Sequence, residues 1–119
     1  RKQGKIINVS SITYFWGGTR IPAYAASKAG VSQFTKSLCN ELAKDGINVN
    51  AIAPGYMATD INKDLRSDPE KSIELLARIP AGRYGHPDEL KGLTVYLASQ
   101  ASNYMNGTTV VMDGGWLAR

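Results

Sequence analysis

The spacing of apolar residues along this chain predicts three strands separated by helices. Residues 5–10 and 47–53 form short runs rich in β-branched side chains, which are typical of strands. A third such run, residues 108–112, follows the Asn106-Gly107 turn. Between the first two runs, apolar residues recur every three or four positions. This spacing predicts one long helix whose apolar stripe comprises Val31, Phe34, Leu38 and Leu42.

Further helices are predicted between the second and third strands. A short helix is expected before Ser67, and another over residues 69–78, where Pro69 suits the first helical turn. The buried side of this second helix should comprise Ile73, Leu76 and Ile79. Another helix should begin near Pro87, with an apolar face formed by Leu90, Leu93 and Leu97.

This order of elements predicts an α/β fold with a parallel sheet, because long helical crossovers connect parallel strands. In such sheets, ligands bind beyond the carboxyl ends of the strands. Those ends are predicted at Ser10-Ser11, at residues 53–55 and at Asp113-Gly114. We therefore expect the functional site to lie along this edge of the sheet.

Composition and charge narrow the choice of partners. The chain of 119 residues is 43% hydrophobic and 20% charged, which is typical of a soluble globular domain. No apolar run reaches the ~18 residues of a membrane span, and the basic residues behind the net charge of +4 are scattered. Neither a membrane nor a nucleic acid is therefore expected as a partner, and no metal site is expected. The single cysteine, Cys39, excludes an internal disulfide and favours the cytoplasm.

Tyr24 and Lys28 are the strongest candidates for chemistry. Residues four apart on a helix lie on one face, one turn apart. A phenol with a fixed cation beside it can donate and accept a proton, provided that water is largely excluded. Ser11, at the predicted end of the first strand, could donate a hydrogen bond to a substrate oxygen. An ordinary helix with one aromatic residue and one solvated lysine is the alternative interpretation of the pair.

Taken together, these motifs make the chain resemble the short-chain dehydrogenase/reductase family. The matching stretches are Asn8-Val9-Ser10-Ser11, Tyr24 with Lys28, Pro54-Gly55, Thr59 and Asp113-Gly114-Gly115. The resemblance implies the C-terminal part of a Rossmann-type doubly wound parallel sheet. It also implies an oxidoreductase that interconverts a secondary alcohol and a ketone.

The resemblance further implies a role for each matching residue. Tyr24 would be the general acid/base while hydride passes to or from a nicotinamide. Lys28 would hold the nicotinamide ribose and assist proton transfer by its charge, and Ser11 would orient the reacting carbonyl. The nicotinamide side of the cofactor would be bound by Tyr24 and Lys28 together with Pro54, Gly55, Met57 and Thr59. The implied cofactor is NAD, with NADP left open.

One part of the family pattern is missing. The family's glycine-rich G-x-G-x-x-G loop, which binds the pyrophosphate, does not occur in this sequence. The acidic or basic residue that selects NAD or NADP and the upstream catalytic asparagine are missing as well. Because the chain also begins at Arg1 rather than Met, we expect residues 1–119 to be the C-terminal half of a single domain that is inactive alone.

Other stretches resemble the bacterial sugar-acid dehydrogenases of this family. They are residues 17–22, 53–59, 78–83 and 113–119. The expected substrate is a small sugar acid such as 2-deoxy-D-gluconate or 2-dehydro-3-deoxy-D-gluconate. Arg20 is the first candidate to bind its carboxylate, and Arg83 and His86 are the alternatives. A 3-oxoacyl carrier-protein reductase and a non-catalytic homologue remain alternative functions.

A homotetramer is the expected assembly of the complete protein, since the family usually forms tetramers. Gly30 costs about 1 kcal/mol relative to alanine inside the predicted long helix, which suggests that another group packs close to it. The apolar stripe of that helix and the Gly115-Trp116-Leu117 segment would provide further packing surfaces.

Overall fold

A computed structural model describes residues 3–119 and shows three parallel strands. They are β1 (Gly4–Val9), β2 (Ile47–Pro54) and β3 (Thr109–Met112), in the spatial order β1-β2-β3. Val9 pairs with Ile52, and Pro54 pairs with Met112. The predicted α/β fold with a parallel sheet is therefore confirmed, with strand ends that differ from the prediction by one residue.

Within residues 3–119, four α-helices connect the strands: α1 (Pro22–Leu42), α2 (Lys63–Ser67), α3 (Pro69–Arg78) and α4 (Leu90–Ala98). Proline occupies the first turn of α1 and α3, where its missing N–H costs nothing. The Asp68 side chain accepts a hydrogen bond from the backbone N–H of Lys71 and thereby caps α3. Gly46 adopts a left-handed conformation (φ 77°) where the chain turns from the α1 region into β2.

Helix α1 packs on the sheet through a polar face rather than through the predicted apolar stripe. Ser32 and Thr35 are fully buried, whereas Phe34 is 57% exposed. The Ser32 hydroxyl lies 2.6 Å from the Ser10 hydroxyl, and Thr35 accepts a hydrogen bond from Asn8 at 2.9 Å. These small side chains allow close approach of α1 to β1, and Phe34 of the predicted apolar stripe is left on the outer side of the helix.

The predicted buried side of α3 requires correction. Ile73 is 69% exposed, and the apolar side of α3 is formed instead by Leu75 and Leu76. A Cβ built on Gly30 would meet nothing within 4 Å, so no group among residues 3–119 packs against that glycine.

A small apolar cluster joins three distant parts of the chain. Ile12 follows β1, Ile79 follows α3, and Trp116 belongs to the final turn. All three are buried, and they are flanked by partly buried neighbours: Trp16, Tyr56, Leu75, Leu76 and Leu117. The cluster therefore holds the C-terminal segment against the same edge of the sheet where ligands were expected.

No helix within residues 3–119 combines the length and the apolar character needed to cross a bilayer.

Candidate active site

A cleft of about 400 Å³ opens beyond the carboxyl ends of β1 and β2. Its wall includes every residue predicted to take part in catalysis or cofactor binding: Ser11, Tyr24, Lys28, Pro54, Gly55, Met57 and Thr59. These residues come from three separate segments of the sequence. The parallel topology brings them together, as the strand order predicted.

Tyr24 and Lys28 lie one turn apart near the start of α1 and share the wall of this cleft. The Lys28 ammonium lies 5.9 Å from the centre of the Tyr24 ring and donates a hydrogen bond to the carbonyl of Val9 at 3.0 Å. The Tyr24 side chain is 40% exposed, and its hydroxyl has no hydrogen-bond partner among residues 3–119. The phenol is therefore available to a molecule bound in the cleft.

Ser11 lies across the cleft at the end of β1 and is only 6% exposed. Its Oγ accepts a hydrogen bond from the backbone N–H of Thr13 at 3.2 Å, which caps a short 3₁₀ turn. Because a serine hydroxyl is also a donor, the Ser11 O–H remains able to donate to a substrate oxygen.

Ser10 fixes the spacing between Ser11 and the Tyr24–Lys28 pair. Its hydroxyl bonds both the Ser32 hydroxyl and the backbone carbonyl of Lys28, at 2.6 Å and 3.0 Å. It therefore ties the end of β1 to the turn of α1 that carries Lys28. Sequence reasoning treated Ser10 only as part of a motif, because no local pattern reveals a partner 22 residues away.

The loop after β2 is held in place by backbone contacts with β3 and with residue 85. The Gly55 N–H donates to the carbonyl of Met112 at 2.9 Å. A Cβ on Gly55 would lie 2.7 Å from the Cα of Asp113, so only glycine allows this close approach. Met57 is buried and forms an isolated parallel bridge with Gly85. These contacts give the floor of the cleft a defined position.

Thr59 follows on the same loop and is fixed by Asn62 and Arg66. The Asn62 side chain accepts from the Thr59 N–H at 3.2 Å, and the Arg66 guanidinium donates to the Thr59 carbonyl at 3.1 Å. The short turn before α2 therefore positions Thr59 at the cleft.

Tyr56 was not predicted as a site residue but also lines the cleft. Burial raises the pKa of its hydroxyl, while the positive charge of Arg78 acts in the opposite direction; the neighbouring Tyr84 and Tyr24 raise it further. The Tyr56 ring packs on Trp116 with ring centres 4.8 Å apart. Tyr56 thus belongs both to the wall of the cleft and to the aromatic packing around Trp116.

The three residues predicted to bind a carboxylate are not brought into this cleft. Arg20 is exposed in a left-handed conformation (φ 67°) and does not belong to the wall. The Arg83 guanidinium forms two hydrogen bonds with the Glu89 carboxylate, at 2.8 Å and 2.7 Å. His86 is exposed and caps the turn before α4 by accepting from the Asp88 N–H. Their positions depend on loop geometry, which the spacing of residues does not reveal.

The residues of the cleft fit the nicotinamide end of a dinucleotide but not its phosphates. Lys28 supplies a fixed cation and Tyr24 a hydroxyl free of protein partners, both of which suit a ribose. Pyrophosphate binding in this fold uses backbone donors of a glycine-rich strand-to-helix turn. The sequence contains no G-x-G-x-x-G, so the described residues do not provide that part of the site.

The parallel sheet and the cleft at the carboxyl ends of its strands define a Rossmann-type α/β domain, and comparison with known proteins identifies its family. A family model described as Enoyl-(Acyl carrier protein) reductase matches residues 1–117. The chain belongs to the short-chain dehydrogenase/reductase family, of which this model is one branch.

The chain is similar to curated 2-dehydro-3-deoxy-D-gluconate 5-dehydrogenases. It is 59% identical over 116 residues to the enzyme of Escherichia coli K12, a match that covers 98% of this chain and 46% of that protein. It is 52% identical over 119 residues to the enzyme of Bacillus subtilis 168, covering 100% of this chain and 47% of that protein. The chain thus spans about half the length of the curated relatives that it matches.

A solved structure shares the same arrangement. The gluconate 5-dehydrogenase of Burkholderia cenocepacia J2315, in complex with NADP and tartrate, is 43% identical with a TM-score of 0.97. The match covers 100% of this chain and 47% of that one. The Rossmann-type fold expected from the sequence is therefore confirmed.

Proposed function

We propose that this chain forms the catalytic half of an NAD(P)-dependent oxidoreductase that interconverts a secondary alcohol and a ketone on a sugar acid. The observation that carries the proposal is the convergence of Ser11, Tyr24 and Lys28 on one cleft at the carboxyl ends of the strands. Similarity to the 2-dehydro-3-deoxy-D-gluconate 5-dehydrogenases and to a gluconate 5-dehydrogenase supports a substrate such as 2-dehydro-3-deoxy-D-gluconate or 2-deoxy-D-gluconate.

In this proposal, Tyr24 moves the hydroxyl proton. In the reducing direction its phenol donates a proton to the carbonyl oxygen, and in the oxidising direction it accepts the alcohol proton. The Lys28 ammonium stabilises the negative charge that develops on the phenol when the proton leaves. Ser11 donates a hydrogen bond to the same substrate oxygen and so fixes its orientation. The nicotinamide supplies or accepts the hydride when the cofactor is bound.

The cofactor would be held by Tyr24 and Lys28 at the ribose and by the loop after β2 at the ring. The loop residues concerned are Pro54, Gly55, Met57 and Thr59. The Burkholderia relative was solved with NADP, so NADP joins NAD as a candidate cofactor. Because the phosphate-binding turn does not occur in this sequence, we propose that residues 1–119 alone bind the cofactor weakly and lack turnover.

Assembly with an N-terminal half would complete the sheet. β1 pairs with β2 on one side only among the described residues, so its outer edge can accept a further strand. We also propose a cytoplasmic homotetramer that uses the outer face of α1. That face carries the exposed Phe34 and the uncrowded Gly30, which would allow close approach of a second copy.

The test is a substrate comparison with the complete enzyme, in which this chain is joined to its N-terminal half. NADH or NADPH should form as the enzyme oxidises a secondary hydroxyl of 2-dehydro-3-deoxy-D-gluconate or of 2-deoxy-D-gluconate to a ketone. In the reverse direction, reduction of the ketone formed from the same compound should consume NADH or NADPH. Activity on 3-oxoacyl carrier-protein thioesters without activity on any sugar acid would contradict the proposed substrate and favour the 3-oxoacyl reductase.

A further inference from the structure

A second cavity of about 440 Å³ adjoins the catalytic cleft and contains two cations. Its wall is formed by Trp16, Ala77, Arg78, Trp116, Leu117 and Arg119. Trp16 belongs to the walls of both cavities. The two spaces therefore adjoin at Trp16.

Arg78 is the cation best placed to bind an anion in this second cavity. Its guanidinium carbon lies 4.3 Å from the centre of the Trp116 ring and 5.7 Å from that of Trp16. No carboxylate among residues 3–119 forms an ion pair with Arg78. Stacking against aromatic faces orients a guanidinium while leaving its N–H groups free for bidentate binding of a carboxylate.

The position of Arg78 is fixed by the chain on either side. It is the last residue of α3 and precedes the buried Ile79. Immediately afterwards, the Ala81 N–H donates to the carbonyl of Gly114 at 3.0 Å, which attaches this segment to the turn after β3. Arg119 donates to the carbonyl of Ala77 at 3.2 Å and adds a second positive charge beside the cavity.

Tyr56 connects Arg78 to the reacting groups. Its ring packs on Trp116, and its side chain lines the catalytic cleft. Arg78 stacks on the same Trp116 ring, and Tyr24 lines the same cleft as Tyr56. A short polar molecule that reaches from Tyr24 past Tyr56 would thus bring its far end towards Arg78.

Two buried polar atoms in the cleft wall lack hydrogen-bond partners that such a molecule would supply. Thr13 Oγ1 and Trp16 Nε1 are buried without a hydrogen-bond partner among the described residues. A buried donor without an acceptor is unfavourable, so a bound polyhydroxy compound that supplies oxygen atoms would be favoured there.

We propose that Arg78, stacked on Trp16 and Trp116, binds the carboxylate of the sugar acid and thereby selects acids over neutral sugars. This inference rests on the proposed function, since it names the group that recognises the substrate of that same site. It replaces Arg20, which lines neither cavity, whereas Arg78 lines the cavity that adjoins the cleft at Trp16. It also replaces Arg83, whose guanidinium is already paired with Glu89.

The first experiment compares an acid with an uncharged ketose on variants of the complete enzyme. Arg78→Met should lower kcat/KM for the sugar acid by roughly 10- to 150-fold, mainly through KM, and change little for the ketose. Arg78→Lys keeps the charge but not the planar fork, so it should restore part of the loss. Lys44→Met, which removes an exposed cation elsewhere, serves as the control.

Two outcomes of this comparison would overturn the inference. One is an equal loss on both substrates, which would mean that Arg78 only supports the structure. The other is a selective loss on the acid in Arg20→Met but not in Arg78→Met, which would return the role to Arg20.

The second experiment measures binding without turnover, by indole fluorescence during titration with D-gluconate and, separately, D-glucitol. Gluconate should give a saturable change that Arg78→Met abolishes and Lys44→Met retains, and glucitol should give none. If this holds while no sugar acid is turned over, the carboxylate site stands and the proposed reaction fails. If sugar acids are turned over but Arg78→Met behaves like wild type in both experiments, the reaction stands and the carboxylate site is overturned.

Discussion

The Lys28 ammonium donates a hydrogen bond to the backbone carbonyl of Val9 at a distance of 3.0 Å. This bond joins the start of α1 to the last residue of β1. It holds the ammonium at the wall of the cleft, 5.9 Å from the centre of the Tyr24 ring. One lysine thus both anchors the helix and places a positive charge beside the proposed proton donor.

Replacing Lys28 tests this dual role. Lys28→Met removes the charge and the bond to Val9, so we expect kcat/KM of the complete enzyme to fall at least ~10-fold, as for one charge-assisted hydrogen bond. Weaker cofactor binding, measured by calorimetric titration with NADP and NAD, should accompany the loss. Lys36→Met removes a lysine from the same helix and should leave both quantities near wild type. Unchanged cofactor affinity in Lys28→Met would contradict the proposed contact with the ribose.

The Arg83–Glu89 pair predicts a pH dependence of stability. Hydrogen bonds from Arg83 and from the His86 N–H lower the pKa of Glu89 from 4.5 to about 2. Because the folded-state pKa is depressed, the stabilisation is present above pH 4.5 and is lost as the pH falls towards 2. The melting temperature should therefore fall less steeply over this range in Glu89→Gln than in wild type.

Glu41→Gln provides the control for that measurement, because Glu41 is exposed on α1. Its melting temperature should follow the wild-type pH profile. Superimposable profiles for wild type and Glu89→Gln between pH 4.5 and 2 would show that the pair does not contribute to acid stability.

The close approach of Gly55 to Asp113 predicts a strong effect of a single methyl group. In Gly55→Ala the new Cβ would lie 2.7 Å from the Cα of Asp113, so the loop after β2 must shift. Overpacking of this kind typically costs about 1–3 kcal/mol of unfolding free energy. Urea denaturation should show the loss, whereas Gly17→Ala, whose Cβ meets nothing within 4 Å, should have little effect. Equal midpoints for the two variants would contradict the described loop geometry.

Much of the architecture could be predicted because its signals are local. β-branched runs, prolines in first helical turns and Gly46 each favour one conformation wherever they occur. Strand order then places Ser11 and the Tyr24–Lys28 pair at one edge of the sheet, as the structure confirms.

The features that could not be predicted depend on long-range contacts. The buried face of α1 is polar because Ser32 and Thr35 find partners on β1, and apolar periodicity does not report such partners. The aromatic cluster around Arg78 joins segments separated by 100 residues, from Trp16 to Trp116. Arg20 was chosen for its sequence position between Ser11 and Tyr24, but its left-handed loop lies outside the cleft.

The most direct test of the central claim is the turnover of Tyr24→Phe in the complete enzyme with a sugar acid and NAD(P). This substitution keeps the ring and removes the transferable proton. We predict that kcat falls at least ~100-fold, as expected for a lost general acid, with an unchanged melting temperature. Tyr104→Phe, which alters a fully exposed tyrosine, should keep wild-type turnover. Near-normal turnover by a folded Tyr24→Phe enzyme would contradict the account.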